Sequence, residues 1–224
     1  MSFIVSLPQK RKITRGDVAL YLTSREQIIY TSFSNKARAY MWFTERIATK
    51  KAIQLYFKKN RNRNIPWNMI DISERDSGTP IYRILKGKYI REEQQTNISF
   101  SHVRNIAIGG IAQTNLEGSL GVHVEKVRNF RKSFLKAFLE AREIEDVIRY
   151  KKIDNRNIEA TILWSIKEAC LKSEKIISHP KDIIVLKISK NYYEIYDAKT
   201  KHIKGYASSW SPQKGFVASK VYKK

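Results

Sequence analysis

SLGVHVE, residues 119–125, is where the pattern of this chain starts over. Valine alternates with polar residues from 122 to 125, which is the two-residue period of a strand. Val122 and Val124 then face a core while His123 and Glu125 share the other side. Downstream lie a helical segment at 130–148 (FRKSFLKAFLEAREIEDVI), a second at 158–175 (IEATILWSIKEACLKSEK), and strand-like stretches at 182–197, 202–210 and 215–222.

Upstream, the same order is legible. DVALYLT (17–23) alternates like a strand, Ser24 with Gln27 fits a capping box opening a short helix, and residues 34–60 carry the strongest helical signal of the first half. Tyr40, Phe43, Ile47, Ala48, Ala52 and Leu55 form its apolar stripe. NRNRNIPWN (60–68) ends that helix and DSGTP (76–80) is a turn, with strand-like PIYRIL, NISFS and IAIGGIAQ after it. The expectation is an α+β chain of two subdomains, residues 1–115 and 116–224, meeting near 112–119.

With 42% hydrophobic residues the 224-residue chain can bury a core, which excludes a disordered tail. One cysteine, Cys170, excludes an internal disulfide framework. The start lacks the continuous apolar run of a secretory signal and no run is long enough to span a membrane, so a cytoplasmic, membrane-free protein is expected. Forty-three Lys and Arg against 21 Asp and Glu give a net charge of +22, which calls for an anionic partner. No recognisable nucleic-acid module accompanies that charge, so nucleic acid is the lesser candidate.

Alone, His123 and Glu125 read as a half-exposed strand edge. Trp164, Glu168 and Lys172, at i, i+4 and i+8, line one helix face, where Glu168 and Lys172 also fit an ordinary surface ion pair. Arg46 and Lys50 begin a stretch with no acidic residue from 46 to 63, either a solvated face or a phosphate site. Ser101 and His102 offer a hydroxyl and an imidazole to an anion, yet no G-x-S-x-G turn surrounds the serine. The four histidines show no structural zinc spacing with Cys170.

In order, RAYMWFTERIATKKAI, GTPIYR, SFSH, GVHVE and LWSIKEACLK resemble the successive motifs of 4'-phosphopantetheinyl transferases of the surfactin-synthetase-activating type, over roughly residues 15 to 175. GVHVE is similar to that family's G-[IV]-D-[IV]-E strand and WSIKEACLK to its W-x-x-K-E-[AS]-x-x-K helix. The resemblance implies a pseudo-twofold pair of α+β subdomains with coenzyme A between them. It also implies transfer of the phosphopantetheine arm to a serine of an apo acyl or peptidyl carrier protein, with release of 3',5'-ADP, by a monomer.

The same resemblance implies the roles. Glu125 and Glu168 match metal-binding carboxylates for Mg²⁺, with Mn²⁺ as the alternative, and His123 completes that metal set where the family has its first metal-binding aspartate. Glu168 is the expected base, Lys172 the diphosphate contact, and Trp164 the side chain that fixes the helix. Arg46, Ser101 and His102 match contacts to the 3'-phosphate region, with Lys50 and Arg83 as further nucleotide-side candidates. Two departures are visible: Thr79 replaces a lysine in the GTP turn, and SEKIISHPK (173–181) replaces a glycine-rich loop. The alternative is a catalytically weakened paralogue that still binds coenzyme A or a carrier.

Overall fold

Reciprocal caps decide where strand-like sequence becomes helix in this chain. The computed structural model describes residues 2–8, 12–86, 90–173 and 179–223. After β1 (Phe3–Pro8), the Thr14 hydroxyl accepts from the Asp17 amide while the Asp17 carboxylate accepts from the Thr14 amide. That box opens α1 (Arg15–Tyr21), so DVALYLT is helical rather than a strand. The next box uses Thr23 and Glu26, one residue earlier than Ser24 and Gln27, and opens α2 (Ser24–Ser32).

The chain divides into two compact units, Met1–Glu117 and Gly118–Lys224. In the first, α3 (Lys36–Arg61) starts at an Asn35 cap and stops where Asn62 turns left-handed. A 3-10 turn at Trp67–Met69 leads into β2 (Ile70–Glu74) and β3 (Pro80–Ile84), which pair as a hairpin. Then come α4 (Ile90–Gln95), β4 (Thr96–Val103), β5 (Ile106–Gln113) and α5 (Thr114–Glu117). β1, β5 and β4 form an antiparallel sheet in that order.

α3 lies close on that sheet. An ideal Cβ on Gly109 of β5 would fall 2.3 Å from the Thr49 amide nitrogen, so only glycine admits this approach. The approach buries Ala52, Ile53, Tyr56 and Phe57 against Ile98 and Ile111, each large side chain contributing about 1.5–3 kcal/mol.

In the second unit β6 (Leu120–Lys126) is followed by α6 (Lys132–Phe138) and α7 (Ala141–Ile148). The segment expected to form one helix over 130–148 is therefore two, broken at the buried Leu139 and restarted where the Glu140 amide donates to Glu143. α8 (Ile153–Ser173) follows, then a 3-10 turn at Pro180–Asp182. β7 (Ile183–Ser189), β8 (Tyr192–Asp197), β9 (Ile203–Trp210) and β10 (Phe216–Lys223) complete an antiparallel sheet of order β6-β10-β9-β8-β7. No helix among the described residues is long and apolar enough to cross a membrane.

The two units repeat one plan. Helices starting at 15, 24 and 36 recur at 132, 141 and 153, a constant shift of 117 residues, and β1 recurs as β6 at the same shift. Each unit buries one ion pair at matching positions, Glu26 with Lys50 and Glu143 with Lys167. Lys50 donates to the carbonyls of Tyr21 and Trp67 as well as to Glu26, and Glu26 accepts the amides of Thr23 and Ile72. Lys167 likewise donates to the carbonyls of Pro180 and Ile183, and Glu143 accepts the amides of Glu140 and Val185. In each unit one pair thus ties a short helix, the long helix and the entry to the following strand.

Burial holds Lys50 and Lys167 below the ordinary lysine value, opposed by the adjacent carboxylates, and burial lifts Glu143. Lys50→Met is expected to lower stability by about 3–5 kcal/mol in urea unfolding, because a charge loses its buried partner. The double variant Glu26→Leu/Lys50→Met is expected to remain well below the parent, since four backbone groups also lose partners at about 1–3 kcal/mol each. A double variant as stable as the parent would show the pair to be dispensable.

Candidate functional site

Gly121 sets the site in the second unit. An ideal Cβ there would lie 1.7 Å from the Ala169 carbonyl oxygen, so the backbones of β6 and α8 touch only because residue 121 lacks one. The Ser165 hydroxyl donates to the His123 carbonyl at 3.4 Å, a second tie along the same seam. Alternation along β6 then turns His123 and Glu125 to the side on which α8 lies, with Val122 and Val124 buried on the other.

His123 feels both polar residues of the α8 face. Burial presses its pKa below the ordinary 6.5, the nearby Glu125 carboxylate raises it, the Lys172 charge lowers it, and Glu168 draws it back up. Its Nε2 lies 3.9 Å from Glu125 Oε2. Burial alone would raise the Glu125 pKa, but His123, Arg128 and the Lys126 amide together hold it below the carboxylate range. Arg128 Nη2 stands 3.8 Å from the same Oε2, and the Lys126 amide donates to Oε1 at 3.1 Å.

Trp164 occupies the same α8 face one turn earlier and packs edge-on against Phe134 and Phe138, with centroids 5.4 and 4.8 Å away. It locks α6 against α8, a contact of about 0.5–1.5 kcal/mol beyond area burial. Phe130 stacks on Phe134 with planes 5° apart, and the Arg128 guanidinium lies over both rings. Glu168 is half-buried and Lys172 exposed.

The first unit gathers a different group. Arg46 is sandwiched between Trp42 and Phe100, 4.9 and 4.8 Å from their centroids, and its Nη2 is 3.6 Å from Glu74. Its Nε and Nη1 are buried with no hydrogen-bond partner among the described residues. His102 Nδ1 meets Glu45 at 3.1 Å on the α3 side of β4, where Phe100 also points.

Two expected contacts turn away from this group, and a third, Arg83, stays open to solvent. Ser101 is buried on the opposite face of β4 from His102, because neighbours on a strand alternate. Lys50 spends its ammonium on Glu26 and two carbonyls inside the fold, which leaves no proton for a phosphate. Arg83 stands exposed on β3, opposite Asp71 in the ladder. Of SEKIISHPK, residues 174–178 lie outside the described residues.

Among the described residues no group of three or more His, Cys, Asp or Glu could hold a metal ion. Glu125 accepts the Lys126 amide with one oxygen and faces Arg128 and His123 with the other, so His123, Glu125 and Glu168 do not by themselves complete the octahedral oxygen shell of Mg²⁺, which keeps waters and substrate oxygens beside one or two carboxylates.

Sequence reading missed Arg128 and the Trp42–Phe100 clamp on Arg46. The pattern R-N-F-R-x-x-F at 128–134, with aromatics between arginines, was the available signal for the former. Ser219, paired in register with His123 and with a buried hydroxyl lacking a partner among the described residues, had none.

No protein-family model matches the chain, and no curated protein matches it. Among solved structures, a holo-(acyl-carrier-protein) synthase of Thermotoga maritima is similar at 18% identity and a TM-score of 0.40, covering 62% of this chain and 74% of its own. One from Helicobacter pylori, in complex with coenzyme A, is similar at 18% identity and a TM-score of 0.38, covering 50% of this chain and 99% of its own. Both overlaps are loose, and the site stands on the distances above.

Gly121→Ala is expected to cost at least about 1–3 kcal/mol by overpacking and to shift the Ser165 and His123 resonances. The His123 imidazole is expected to titrate below 6.5 by NMR. Below 6.5 the unfolded chain binds a proton that the folded one refuses, so stability falls as pH drops through that range, and His123→Gln flattens the fall.

Proposed function

We propose that this chain transfers the phosphopantetheine arm of coenzyme A to a serine of an apo acyl or peptidyl carrier protein. The single observation that carries the reading is the pairing of β6 with α8 around Gly121, which sets His123 in the field of Glu168 and Lys172. Those are the residues through which GVHVE and LWSIKEACLK resemble the phosphopantetheinyl transferases.

Glu168 accepts the proton of the carrier serine as its oxygen attacks the β-phosphorus. The serine O–P bond forms, the bond from that phosphorus to the bridging oxygen breaks, and 3',5'-ADP leaves with the electron pair. Lys172, exposed at the end of α8, neutralises the charge that gathers on the diphosphate. Trp164 holds α8 on α6 and so fixes where Glu168 and Lys172 stand. Arg46 and His102 are the nucleotide-side contacts in this reading, and the net charge of +22 suits an acidic carrier surface.

A second reading, a coenzyme A or carrier binder without efficient transfer, is favoured by the imidazole of His123 beside Glu125, a ligand that suits transition metals better than Mg²⁺. Incubation with coenzyme A and a panel of apo carriers, with and without Mg²⁺ or Mn²⁺, is expected to add the arm as a mass shift. Glu168→Gln and Lys172→Ala are each expected to lower kcat by about 10²–10⁴. No shift on any carrier sinks the first reading, and activity that arises only with His123→Asp favours the second.

A further inference from the structure

Beside Glu125 the second unit has a cavity of about 470 Å³ lined by Arg128, Asn129, Phe130, Arg131, Ser133 and Phe134. Its wall carries two guanidiniums and no carboxylate, which is the composition of an anion site. The Arg128 guanidinium is held in place from two directions. It lies 5.0 and 5.8 Å over the parallel rings of Phe130 and Phe134, and its Nη2 reaches to 3.8 Å from Glu125 Oε2. Phe134 in turn packs on Trp164 of α8, so the cavity is fixed to the helix that bears Glu168 and Lys172.

The groups that face Glu125 are cationic or hydrogen-bond donors: Arg128, the Lys126 amide and the His123 ring. A divalent ion on Glu125 would have to displace those groups and sit against a guanidinium of like sign. An incoming diphosphate enters by the cavity wall, whose lining holds no carboxylate. It gains Arg128 and Arg131 in the cavity, and a planar guanidinium binds two phosphate oxygens at once.

We propose that this cavity is a diphosphate site in which Arg128, backed by Arg131, supplies the positive charge that a divalent cation would otherwise bring. The inference rests on the transferase reading for its natural ligand, the diphosphate of coenzyme A, while the site itself is defined for any diphosphate. Glu125 then acts as a positioning residue: it holds Arg128 over the two rings and does not hold a metal.

The test uses the full chain and calorimetric titration with inorganic diphosphate in EDTA, and with coenzyme A in EDTA and in Mg²⁺. The parent is expected to bind both ligands in EDTA, with coenzyme A affinity within about threefold of that in Mg²⁺. Arg128→Ala is expected to weaken both at least about tenfold, the loss of one charge-assisted contact, and Arg128→Lys to restore part of it. Arg128 is half exposed at its side chain, so the alanine variant folds, and circular dichroism verifies this. Binding that appears only with Mg²⁺, Mn²⁺ bound tightly by the chain alone, or an Arg128→Ala variant that binds like the parent overturns the proposal. Arg128-dependent binding of inorganic diphosphate without coenzyme A binding or transfer upholds the site and removes the transferase reading. Transfer that requires a metal does the reverse.

Discussion

The buried ion pair between a short helix and the long one is the constraint on which each unit depends. A lysine at zero exposure is tolerated because three acceptors surround it, and a glutamate beside it is tolerated because backbone amides share its other oxygens. Those backbone groups lie at the close of α1, in the 3-10 turn and in the middle of β2. Helix ends leave orphan donors and acceptors, so one pair resolves several such debts at once. With that knot tied, the long helix can lie flat on the sheet, and glycines at 109 and 121 let it come close enough to fix side chains on both partners.

The candidate site of the second unit follows from this seating. Contact of the β6 and α8 backbones leaves no slack between the strand that carries His123 and Glu125 and the helix that carries Glu168 and Lys172. The aromatic set of Phe130, Phe134, Phe138 and Trp164 continues the contact sideways and brings Arg128 to the same carboxylate. Electrostatics and packing therefore select the same few positions, as sites built on rigid elements do.

Much of this was legible in the sequence where one period dominates. β5 and β10 are written as short apolar runs between turn residues and α3 and α8 by helical spacing, and the α+β plan followed; of the expected α3 stripe Phe43, Ala48 and Ala52 are buried, while Ile53, Tyr56 and Phe57 carry the rest of that core. DVALYLT misled because seven residues of alternating bulk fit a strand as well as a short helix, and a cap three residues upstream made the choice. β1 and β2 were passed over because each is five or six residues with mixed burial and draws its stability from partners far along the chain. In the site, Glu125, Glu168, Lys172 and Trp164 were marked by motif order. The inward turn of Lys50 and the far side taken by Ser101 were not, because burial and strand facing belong to tertiary structure. Arg128 lay outside every motif, and only its rings and its carboxylate single it out.

The shift of 117 residues holds from the first strand through the long helix and then shortens: the 3-10 turns begin at 67 and 180 and the next strands at 70 and 183. The two units thus share one plan, and the shift shortens by four residues in the connection after the long helix. In the first unit, the positions of Trp164, Glu168 and Lys172 are held by Ile47, Lys51 and Leu55. Both units hold the same buried ion pair, while these three points along one helix face are apolar, basic and apolar in the first unit and aromatic, acidic and basic in the second.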